Sequence, residues 1–141
     1  QPAPSCLAIA ASATLYVMFP TQQSQGMTVP VGPWWVSFAL EVFLTGLLMW
    51  VVLNVSTGAK EKGITAGVVV GAVIALEAMF AGPICGASMN PARSLAPAVV
   101  SMQLHHQWVY LTAPVIGAAI AVLSCRLTRC EPECCRGGCV S

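Results

Sequence analysis

Aspartate is absent from the 141 residues. That excludes paired-Asp catalysis and the Asp-rich loops that bind Mg2+ or Ca2+. Charge of either sign is scarce: six Lys/Arg and five acidic residues make up 8% of the chain. Soluble domains carry about 25%. A soluble surface has to be covered with charge, so this deficit points to a membrane more strongly than the hydrophobic content of 57% does. The mean hydropathy of +0.78 agrees. A formal net charge of +1 gives no basic stripe for nucleic acid. No Ser/His/Asp or Cys/His constellation supports an enzyme, so no catalytic residue, cofactor or metal is expected. A signal-peptide pattern is lacking too, since no basic stretch precedes the apolar residues 6–19. Gln1 is not an initiator, and the chain is expected to be a piece of a longer protein.

What is present is long apolar runs. Residues 34–55 (WWVSFALEVFLTGLLMWVVLNV), 64–83 (ITAGVVVGAVIALEAMFAGP) and 107–127 (QWVYLTAPVIGAAIAVLSCRL) each hold enough residues to cross a bilayer as a helix. Residues 6–19 form a shorter run, either a partial span or an interfacial helix; Pro20 ends it, and the polar residues 21–33 read as a loop. Between the second and third long runs lies ICGASMNPARSLAPAVVSMQLHH, residues 84–106. Its helical stretch starts at about residue 90 and runs to 102, which reaches only about halfway across a hydrocarbon core of about 30 Å.

Positive charge decides what this short helix does. Lys60 and Lys62 follow the first long run; Arg126, Arg129 and Arg136 follow the last. Cytoplasmic loops carry the Lys/Arg excess. With both groups in the cytoplasm, the two intervening spans require residues 84–106 to begin and end on the outer side. The segment therefore enters the membrane and returns. A surface-lying amphipathic helix would show a basic face, and Arg93 is its only charge.

Irregular backbone at membrane depth persists only in protein or beside a wet cavity. Asn90 is a preferred N-cap and Pro91 suits the first helical position. The amide end of the helix and its positive dipole would then point at whatever occupies the midplane. Asn90 adds a side-chain donor, Ala92 admits close backbone approach, and Arg93 adds a fixed charge. Pro97 has no N–H, which deprives the Arg93 carbonyl of its helical partner. Donors at Asn90 and Arg93, free carbonyls and an apolar opposite wall suit neutral hydrogen-bonding solutes. Cations and protons are repelled.

The string GASMNPARSLAPA, residues 86–98, resembles the second Asn-Pro-Ala loop of the major intrinsic proteins, the aquaporin and glycerol-channel superfamily. LEVFLTGLLMWVV (40–52) is similar to that family's fourth helix, and LTAPVIGAAIA (111–121) to its sixth. AGP-x-x-GASMNPARSL is nearest to the nodulin-like intrinsic proteins and their bacterial relatives. Glycerol facilitators usually carry Asp where this chain has Ser94. The resemblance implies an all-α membrane protein with three transmembrane helices, a partial N-terminal one and a re-entrant half-helix. Residues 1–127 would form the C-terminal half of a channel domain, and 128–141 a Cys-rich cytoplasmic tail. The implied function is passive permeation of water and small neutral solutes: glycerol, urea or undissociated metalloid acids. The implied partners are the lipid bilayer and the missing N-terminal half of the channel, with a homotetramer for the complete protein in a plasma or inner membrane. Pore and selectivity positions carry over to Asn90, Pro91, Ala92, Arg93, Ala78 and Ala87, and Glu41 is implied to support the loop. Water-selective members usually have His at the position of Ala78, so two alanines imply a wider, more apolar opening. Only one Asn-Pro-Ala occurs, so this chain does not close a pore alone.

Glu77 either lines the pore or packs as a buried carboxyl. Gly67/Gly71 and Gly82/Gly86 have the spacing of helix-packing glycines. His105 and His106 precede Trp108 and Tyr110, which read as an interfacial aromatic belt. The tail cysteines Cys130, Cys134, Cys135 and Cys139, with Cys125, are open to three readings: zinc ligands without a Cys-x-x-Cys pair, acylation sites, or reduced thiols. The sequon at Asn54 falls at a cytoplasmic helix end. A broken-helix secondary transporter using Glu41 and Glu77 is the competing function.

Overall fold

The computed structural model describes residues 4–19, 27–58 and 64–128. They form five helices: α1 (Pro4–Met18), α2 (Trp34–Gly58), α3 (Ile64–Cys85), α4 (Pro91–Val100) and α5 (Gln107–Thr128). The fold is all-helical, and α2, α3 and α5 are the helices long and apolar enough to span a membrane. α1, with 15 residues, is about 22 Å long. The lysine loop (Lys60, Lys62) and the tail with Arg129, Arg136 and its four cysteines lie outside the described residues, as do residues 20–26 of the first loop.

Large apolar side chains are mostly exposed, including Val17, Phe43, Met79, Leu123 and Leu127. Such a surface fits hydrocarbon rather than water. In lipid, helices associate through close packing and polar contacts. α2 and α5 show this at Gly46 and Gly117. A Cβ on Gly46 would stand 3.3 Å from the Gly117 carbonyl oxygen, and one on Gly117 would collide with the Val42 carbonyl. Among the described residues Gly67, Gly71 and Gly82 have no packing partner. A Cβ at any of the three meets nothing within 4 Å: α3 packs along its length on α2, and these glycines face away from it. Gly86 is needed for its backbone: its φ is +84°, and a Cβ there would meet Thr28 at 3.0 Å.

Helix direction settles the course of the central segment. Trp34, at the start of α2, packs on Trp108, at the start of α5, with ring centroids 5.3 Å apart. Further along, Gly46 meets Gly117. The two helices therefore run parallel. The Tyr110 hydroxyl, in the first turn of α5, donates to the carbonyl of Cys85, the last residue of α3, at 2.7 Å. α3 thus ends at the level where α5 begins, and residues 86–106 leave and return at one end of the bundle. Tyr110 is fully buried by this contact, so it is not part of an interfacial belt; Trp108, 47% exposed, retains that position.

α4 is held between α1 and α5. It stops two residues before the expected boundary at 102. Met102 adopts φ 55°, its N–H bonds the Val99 carbonyl, and Gln103 N–H bonds the Ala98 carbonyl. This is the Schellman arrangement that ends a helix, here with methionine in the left-handed position usually given to glycine.

Candidate functional site

The loop before α4 is built against local backbone preference. Gly86, Ala87 and Met89 all have positive φ (84°, 40° and 52°), which disfavours non-glycine residues. Long-range hydrogen bonds hold it. Glu41 of α2 is fully buried, and its two oxygens accept the backbone N–H groups of Ser88 at 2.7 Å and Met89 at 2.9 Å. A carboxylate is the side chain with acceptors on both oxygens.

Asn90 caps α4: its Oδ1 accepts the Ala92 N–H at 3.0 Å, with Pro91 at the first helical position. That donor fixes the orientation of the side-chain amide, since Nδ2 facing the N–H would place two donors together. Nδ2 donates to no group among the described residues. The Arg93 guanidinium donates through Nη1 to the Ala87 carbonyl, which ties the first turn of α4 back to the loop and leaves its other N–H groups unused by that bond. Pro97 lies inside α4 and leaves the Arg93 carbonyl without a helical donor.

These residues meet at a cavity of about 310 Å³ bordered by Leu48 of α2, Ile74 and Ala78 of α3, and Ser88, Met89, Asn90 and Arg93. Leu48 and Ile74 stand near the middle of their spans, Trp34–Ser56 and Thr65–Cys85. The amide end of α4 is therefore at mid-height. One wall is apolar, and the other presents the Asn90 amide and the Arg93 guanidinium.

Of the residues singled out in the sequence, Ala78, Asn90 and Arg93 converge on the cavity. Pro91 and Ala92 are half-buried beside it. Ala87 is 1% exposed and packs with Leu44, Ala81 and Cys85; it offers its carbonyl, not its methyl, to the site. Glu77 is 1% exposed with neither oxygen partnered among the described residues, and it does not border the cavity. Leu48, Ile74, Ser88 and Met89 were missed. The signal for two of them was helical period: Leu48 is two turns beyond Glu41, and Ile74 one turn before Ala78. Thr28, whose hydroxyl reaches Ser94 at 2.6 Å, has no sequence signal of this kind.

The sequence pattern of the major intrinsic protein family matches residues 5–124. Curated relatives include a "Probable aquaporin NIP-type" of Nicotiana alata, 43% identical over 122 residues that cover 86% of this chain and 45% of that protein. "Aquaporin NIP2-1" of Oryza sativa subsp. japonica is 42% identical over 110 residues, 78% of this chain and 37% of its own length. "Nodulin-26" of Glycine max is 42% identical over 111 residues, 78% and 41% respectively. The chain thus spans less than half the length of these relatives.

Proposed function

Because the chain belongs to the major intrinsic protein family, we propose that it supplies one half of a passive membrane channel for water and small neutral solutes. It is a channel component, not an enzyme. The observation that carries this reading is the mid-height cavity, where Asn90 and Arg93 offer donors opposite Leu48, Ile74 and Ala78. A neutral solute exchanges its water hydrogen bonds for these donors and slides along the apolar wall. A cation meets the guanidinium and the positive end of α4 and is turned back.

Residues 1–127 are the channel domain in this reading, and 128–141 a cytoplasmic tail. A second half-helix comes from polypeptide outside these 141 residues in this reading, and the complete channel is a homotetramer in a plasma or inner membrane. The absence of His at Ala78, which borders the cavity, leaves room for glycerol, urea or undissociated metalloid acids. The test is stopped-flow light scattering on proteoliposomes that hold the complete channel. Expected are water flux and glycerol or urea flux, both independent of a pH gradient. Water flux without glycerol or urea flux contradicts the wide opening. Flux that requires a pH gradient favours a coupled transporter and overturns the channel.

A further inference from the structure

The hydroxyl groups behind the half-helix form one connected series. Thr28 Oγ1 lies 2.6 Å from Ser94 Oγ, Ser94 Oγ is hydrogen-bonded to Ser88 Oγ, and Ser88 Oγ lies 2.9 Å from the Asn90 carbonyl. All three side chains are at most 3% exposed, so water does not compete for them.

The end of the series dictates its direction. A carbonyl has no proton to give, so Ser88 donates to Asn90. Ser88 then has no proton left for Ser94, so Ser94 donates to Ser88. The same step makes Thr28 the donor to Ser94. Ser88 is thereby locked: its N–H goes to Glu41, its hydroxyl proton to Asn90, and one lone pair to Ser94. Its hydroxyl is enclosed, so it serves to hold the Asn90 carbonyl at the edge of the cavity. The series thereby holds the backbone that presents the Asn90 and Arg93 donors.

Thr28 belongs to a stretch that grips both sides of the loop and half-helix. The Val31 N–H reaches the Ile84 carbonyl at 3.3 Å, and Met27 Sδ packs against the hydroxyl of Ser101, whose proton goes to the Pro97 carbonyl at 2.6 Å. Thr28 itself fills the space over Gly86.

We infer that Thr28 is a positioning residue of the permeation path. Through Ser94 and Ser88 it anchors the Asn90 carbonyl and the start of α4, and so holds the Asn90 and Arg93 donors at the cavity. The inference rests on the channel reading for its consequence in transport, while its structural half stands apart from it.

The test compares Thr28→Val, which keeps the shape and removes the donor, with Thr28→Ser, which keeps the donor. Both are made in the complete channel, reconstituted at matched protein content. Two quantities are read: the ratio of glycerol to water permeability, and amide hydrogen exchange over residues 88–94. In Thr28→Val the ratio falls, and exchange rises about tenfold, the size expected for one lost buried hydrogen bond. Thr28→Ser restores both. If Thr28→Val fails to enter the membrane fraction, Ser94→Ala breaks the series from its middle and should raise exchange over 88–92 alike. Unchanged exchange and ratio in Thr28→Val, or equal impairment in Thr28→Ser, overturn the inference. If the unaltered channel conducts nothing, the channel reading fails, and the exchange comparison still decides whether Thr28 anchors α4.

Discussion

Replacing Glu41 with leucine should loosen the loop that positions Asn90 and Arg93. Leucine keeps the bulk in a fully buried site but removes both acceptors, leaving the N–H groups of Ser88 and Met89 without partners. Hydrogen bonds to charged groups contribute about 1.5–3 kcal/mol each. Ser88 is buried and bears the full loss; Met89 is half-buried, and water recovers part of its share. A net local cost of about 2–4 kcal/mol follows. At about 1.4 kcal/mol per tenfold, exchange of the Ser88 and Met89 amides should accelerate by roughly 30-fold or more. Glu41→Gln keeps one acceptor oxygen and turns an NH2 group toward the other N–H, so it should fall between the parent and the leucine variant. Exchange measured by mass spectrometry in nanodiscs reads both variants, and osmotic water permeability of the complete channel should decline in the same order. Exchange over residues 86–92 that is the same in the leucine variant as in the parent would falsify the support argument. So would a glutamine variant looser than the leucine one.

Three further outcomes follow from the geometry. Gly117→Ala drives a methyl into the Val42 carbonyl and should destabilise the α2–α5 pair by about 1–3 kcal/mol; tryptophan fluorescence during thermal unfolding in detergent should show a lower midpoint, while Gly67→Ala, with open space around it, should not. Glu77→Leu removes a buried carboxyl whose oxygens have no partner among the described residues and should raise thermal stability by about 1–3 kcal/mol; a loss of stability shows that the carboxyl is satisfied in the folded channel. Ala78→His narrows the cavity next to Arg93 and should suppress glycerol flux by about tenfold or more while water flux persists; equal loss of both means that Ala78 does not set solute size.

The crossing helices were legible because hydropathy over about 20 residues is a property of the local sequence. The start of α4 was legible for the same reason, since Asn90 and Pro91 act on the turn they occupy. What stayed hidden depends on partners far away in the chain. Gly67 and Gly71 have the right spacing for helix contact, but spacing gives a small face without saying what meets it. The glycines in contact, Gly46 and Gly117, stand singly on two helices and are recognisable only once α2 and α5 lie side by side. Tyr110 looked interfacial because Trp108 is close in sequence, yet two helical positions, about 200° of turn, point it inward to the Cys85 carbonyl. Ala87 was expected as a lining side chain, and the left-handed backbone at φ 40° instead buries its methyl.

Polar contacts decide these positions because the bilayer removes the usual alternative. Apolar side chains are as well accommodated by lipid as by one another, so hydrophobic burial does little to place one helix against the next. An unpaired backbone N–H at that depth costs several kcal/mol, and so hydrogen bonds acquire the power to specify geometry. The half-helix is accordingly fixed from three directions: by Glu41 of α2 on the Ser88 and Met89 amides, by Tyr110 of α5 on the Cys85 carbonyl, and by Thr28 on Ser94. Each contact joins residues at least 25 positions apart, with separations of 47, 48, 25 and 66. If packing alone placed α4, apolar replacements of Glu41 and Thr28 that conserve volume would leave Asn90 and Arg93 in register. If polar pins place it, the same replacements loosen the register while the crossing helices stay intact, so the half-helix should exchange faster with no change in α2, α3 or α5.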